Sequence, residues 1–126
     1  MKIAAAIARY LLALMFLVFG SNAILNFIPA PPMPDNVFGH FVTALGQAHY
    51  MVPVGTLMVI SAILFLINRF VPLALVLLGP VLVNILIVHI LMAPATIGMG
   101  LFATVLWFIV FVQHRAAFAP LFRAKP

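Results

Sequence analysis

Seven side chains able to hydrogen-bond or exchange a proton stand in or beside strongly apolar sequence: Asn22, Asn26, His40, Gln47, His49, Asn84 and His89. Asn22 and Asn26 are one helical turn apart and share a face if that stretch is helical. Amides and imidazoles of this kind can grip the polar head of a small amphiphile, such as a quinone or a lipid, while its tail lies among Phe and Leu side chains. Other chemistries find fewer tools here. Asp35 is the single side-chain carboxylate and cysteine is absent. Paired-carboxylate acid–base catalysis, disulfides, thiolate metal sites and thiol relays are therefore excluded. The histidines lack the local spacing of a metal motif and have no carboxylate behind them, so no metal site is expected and haem is the weaker cofactor candidate. The bland alternative is that these groups only hydrogen-bond across helices and fix their packing, at about 1 kcal/mol per bond.

The elements that must carry them are unusually apolar. Of 126 residues, 67% are hydrophobic and 6% charged, with a mean hydropathy of +1.36. A water-soluble domain carries roughly 25% charged residues, so most of this surface does not face water. Four apolar blocks, at about 4–28, 51–67, 70–92 and 97–114, reach or approach the length needed to cross a bilayer. Backbone in lipid must satisfy itself, which makes the blocks helices. The expected fold is all-α: one membrane domain over 1–126, a polytopic bundle of four transmembrane helices. Lys2, Arg9 and the small residues Ser21-Asn22-Ala23 imitate a cleavable signal. The apolar run continues to Ile28, however, longer than a signal core, so an uncleaved first span is expected.

Charge gives the blocks a direction. Lys2 and Arg9, then Arg69, then Arg115, Arg123 and Lys125 fall in the segments that four spans place on one side, and Asp35 falls on the other. The positive-inside rule puts both termini in the cytoplasm. A net charge of +5 spread this way is explained by topology, and nucleic acid is not an expected partner. The expected partners are the lipid bilayer, with other membrane proteins or a second copy of the chain as further candidates.

Between the first two blocks lies the one soluble-looking segment, 29–50. Pro29, Pro31, Pro32 and Pro34 forbid helix. Phe38, Phe41, Val42 and Leu45 then recur at helical spacing opposite Asn36, His40, Thr43 and Gln47, with Asp35 as the expected N-cap. This reads as a short extracytoplasmic amphipathic helix, a lid over the outer mouth of the bundle. All seven candidate residues then gather at the lid end. Pro80 is expected to kink the third span and re-aim Asn84 and His89, and Gly98 and Gly100 to permit close helix approach.

The stretch Phe19-Gly20-Ser21-Asn22 through Asn26-Phe27-Ile28-Pro29-Ala30-Pro31-Pro32-Met33-Pro34 resembles the first span and loop of the DoxX family. So does Asn68-Arg69-Phe70-Val71-Pro72-Leu73-Ala74-Leu75 leading into Pro80-Val81-Leu82-Val83-Asn84-Ile85, then His89 and Pro94. The resemblance implies a four-helix protein of the bacterial inner membrane, in a family associated with quinone-linked sulfur oxidation and oxidative-stress complexes. It also implies that Asn22, Asn26, Asn84 and His89 sit on recurring polar positions. Many relatives carry a glutamate in the second span, where this chain reads Leu57-Met58-Val59-Ile60-Ser61-Ala62. Family chemistry that needs that carboxylate is therefore not expected here. Two functions stay open: a redox-associated accessory subunit binding a quinone-like or lipid molecule, and a non-catalytic assembly subunit.

Overall fold

The computed structural model describes residues 2–125, and these form helices with no strand among them. In chain order they are α1 (Lys2–Leu25), α2 (Val37–Gln47), α3 (Met51–Ile67), α4 (Val71–Met92) and α5 (Gly98–Gln113). Short 3-10 helices at Pro94–Thr96 and Arg115–Phe122 flank α5. The helix ends follow from local chemistry. Asn26 ends α1 in the left-handed region (φ 52°), a conformation that asparagine tolerates better than most residues. Asn68 ends α3 in the same way (φ 54°), and Pro72 stands in the first turn of α4, where a missing N–H costs nothing.

The four long helices pack in a ring, α1 against α3 and α5, and α4 against the same two. Neighbours run antiparallel: Arg9 meets Phe65 and Gly20 meets Gly55 across α1 and α3, while Leu75 meets Trp107 and Ile85 meets Gly100 across α4 and α5. The shared core is Leu12, Phe16, Phe65, Leu75, Leu78 and Val110, all nearly inaccessible. Outside, each long helix shows an apolar stripe. Ile3, Ile7, Leu14 and Val18 line α1, and Leu73, Val76, Val83 and Ile87 line α4. Such an exterior fits lipid and not water.

α1 and α4 are each long and apolar enough to cross a membrane. The count rises to four if α2–α3 and α5 with its trailing 3-10 helix are each taken as one bent span. Alone, the 17 residues of α3 and 16 of α5 give only about 24–26 Å of helix, against a hydrocarbon core of about 30 Å.

Two expectations need correction. The N-cap of α2 is Asn36, whose side chain accepts from the Gly39 amide, and not Asp35. At Pro80 α4 continues as one helix, with the Val76 carbonyl left without its partner, as a proline inside a helix requires. Of the two glycines expected to permit close approach, Gly100 packs against Ile85 whereas Gly98 faces open space. The tightest crossing is elsewhere. A Cβ on Gly55 would stand 2.7 Å from the Gly20 carbonyl oxygen, so α1 and α3 touch backbone to backbone there.

Candidate functional site

The lid is positioned by two features. The chain bends by 85° between α2 and α3, so α2 lies across the end of the bundle. Gly39 then presses on the proline arm: a Cβ there would fall 1.8 Å from the Pro34 carbonyl oxygen, which only glycine avoids. With the arm so fixed, Phe38, Phe41, Val42 and Leu45 are the half-buried face of α2, as their spacing requires. Phe38 reaches His89 on α4, ring centroids 6.1 Å apart.

Among the candidates, His89 lines a cavity between the helices. Its walls come from α1, α3, α4 and α5, through Met15, Phe19, Met58, Ile85 and Met99 among others, and it encloses about 220 Å³. His89 Nδ1 lies 2.8 Å from the Ile85 carbonyl oxygen. A carbonyl only accepts, so Nδ1 carries the proton, and in the neutral ring Nε2 is an acceptor. Nε2 has no hydrogen-bond partner among the described residues. The flexible thioethers of three methionines make the wall adaptable to an irregular apolar guest.

The other six candidates stand at the same end but do not converge on that cavity. Asn22 accepts from the Ile28 amide and ties the arm to α1. Asn26 is the left-handed residue that ends α1. Asn84 is exposed and donates to the Pro80 carbonyl on its own helix. His40 Nε2 lies 2.8 Å from Asp35 Oδ1 in an exposed pair. Gln47 is exposed, and His49 takes φ 55° in the turn between α2 and α3. No group of three or more potential ligating side chains that could hold a metal exists among the described residues.

The residue that sequence reasoning missed lies at the opposite end. Arg9 is only 8% exposed. Its guanidinium Nη1 donates to the Phe65 carbonyl near the end of α3, and the group lies 4.4 Å from the centre of the Tyr10 ring. It lines a second cavity, about 150 Å³, with Lys2, Asn68, Gln113 and His114. His114 follows the last residue of α5, its backbone N–H donating to the Val110 and Phe111 carbonyls. The visible signal was position, since Arg9 sits two helical turns into an apolar run rather than at its edge. Ser61, in the middle of α3, is fully buried and donates to the Leu57 carbonyl.

No family model, no curated protein and no solved structure matches the chain.

Proposed function

We propose that this chain is a four-span membrane protein that holds one amphiphile, quinone-like or lipid, with its apolar part in the cavity beneath the lid and its head at His89. The observation that carries this reading is the pairing of an apolar cavity with one polar atom free to bond, His89 Nε2. A neutral Nε2 accepts, so the preferred head group is a donor: the hydroxyl of a quinol or of a hydroxylated lipid. The volume of about 220 Å³ is below the roughly 300–1,000 Å³ of pockets that enclose a drug-sized ligand. Part of the guest therefore stays in the bilayer. The DoxX-like motifs support a redox-associated accessory role in a bacterial inner membrane with both termini cytoplasmic, and the all-basic ends of the chain agree with that orientation.

The second reading is an assembly subunit without a ligand. It is favoured by Asn22, Asn26 and Asn84, which spend their polarity on the chain's own backbone or on ending a helix. Native mass spectrometry of gently extracted protein separates the two. One retained amphiphile is expected, lost both in His89→Ala and in Ala103→Leu, which narrows the cavity without touching His89. An empty wild type, or a guest indifferent to both changes, leaves the assembly reading standing.

A further inference from the structure

We infer that the cavity at the Arg9 end is an anion site for a phosphate group, carried by a lipid headgroup or free in solution. Arginine offers five N–H donors in a rigid fork, and Phe65 takes only the one on Nη1. No buried side-chain nitrogen among the described residues lacks a partner. The remaining guanidinium nitrogens therefore reach open space, and the space Arg9 lines is this cavity. Around it stand further donors: the Lys2 ammonium, the Asn68 and Gln113 amides and the His114 ring. Donors from three separate segments suit a tetrahedral oxyanion, which offers an acceptor in every direction.

Charge decides the sign of the guest. α3 and α5 both end here, and helix C-termini are partly negative, about half a unit charge each. Together they offset only one of the two cations, Lys2 and Arg9, with Arg69 and Arg115 adjacent in sequence to the lining residues Asn68 and His114. No side-chain carboxylate can neutralise the site, because Asp35, the only one in the chain, pairs with His40 at the far end. A cation nine-tenths buried with no acidic partner is left to an external anion. Its depth fits as well. Arg9 lies seven residues beyond Lys2 on α1, about 10 Å along the axis, within reach of the phosphate layer of a bilayer.

The test uses the full chain in detergent, titrated separately with phosphatidylglycerol, with a phosphate-free galactosyl diacylglycerol, and with inorganic phosphate, read by native mass spectrometry and by thermal unfolding. One tightly held phosphatidylglycerol, absent for the galactolipid and weakened at least tenfold by Arg9→Gln, identifies a lipid headgroup site. Stabilisation by inorganic phosphate alone, lost in the same variant, identifies a site for the free ion. Should Arg9→Gln fail to fold, the Lys2→Ala/Gln113→Ala double variant removes two exposed donors and must weaken binding on its own. Equal retention of both lipids with no phosphate response overturns the inference, as does binding unchanged in the double variant. Arg9 is then a cap on α3 and nothing more.

Discussion

The two ends of the bundle solve the same packing problem by opposite means. At the lid end α1 and α3 meet through Gly20 and Gly55, with no side chain between their backbones. At the other end the same helices are joined by a buried charge, Arg9 on the Phe65 carbonyl. The first leaves an apolar cavity with a single free polar atom, and the second a small cavity rich in donors. The lesson is that a count of polar residues does not locate a site. The lid end holds most of the amides and imidazoles, yet Asn22, Asn36 and Asn84 among them serve the chain's own backbone. The other end has fewer, and these point at shared space.

Breaking the glycine contact should have the widest effect, on stability and on the guest together. Gly55→Ala places a Cβ against the Gly20 carbonyl, which no side-chain movement can relieve. A loss of about 1–3 kcal/mol is expected from overpacking, seen as a lower thermal midpoint in detergent, and the guest beneath the lid should be lost with it. A stable Gly55→Ala protein that keeps its guest would mean the crossing does not shape that end. Arg9→Met tests the other end. It removes a hydrogen bond from a charged group, so about 1.5–3 kcal/mol should go, while retention at His89 stays unchanged if the two ends are independent. The smallest effects belong to the lid's own surface. Asn36→Ala removes a cap worth about 1 kcal/mol, whereas Asp35→Asn disturbs only an exposed pair worth less than about 1 kcal/mol. Hydrogen exchange of the α2 amides should therefore quicken in the first variant and barely change in the second. The reverse order would restore Asp35 as the cap.

What could be read from sequence was what is local. Block lengths gave the helices to within a few residues, and four prolines marked the arm. The spacing of Phe38, Phe41, Val42 and Leu45 gave the buried face of the lid. The cap was misplaced by one residue because Asp35 and Asn36 are adjacent and both residue types cap well. The convergence of the seven polar residues was not legible. Whether Asn84 turns to a neighbouring helix or back to Pro80 depends on a rotamer, not on a residue type. Arg9 was taken for a marker of topology because basic residues near a span end usually are. Nothing in the sequence showed that α3 would end against it. Nor does any spacing in the sequence show that the Trp107 indole donates to the Leu75 carbonyl, tying α5 to α4, while it stacks on Phe111.

The turn between α3 and α4 has a consequence for how the molecule is built. Only Asn68, Arg69 and Phe70 separate these helices, and both Asn68 and Phe70 hold left-handed backbone that reverses the chain at once. Closing so short a loop costs little entropy, whereas joining α1 to α5 must bring together residues some hundred positions apart. The hairpin is thus the less costly of the two contacts in chain entropy, and the seam between the first and last helices the more costly one. The Arg9 cavity takes its walls from both sides of that seam, so it exists only in finished molecules, and an anion that settles there acts as the latch on a completed ring.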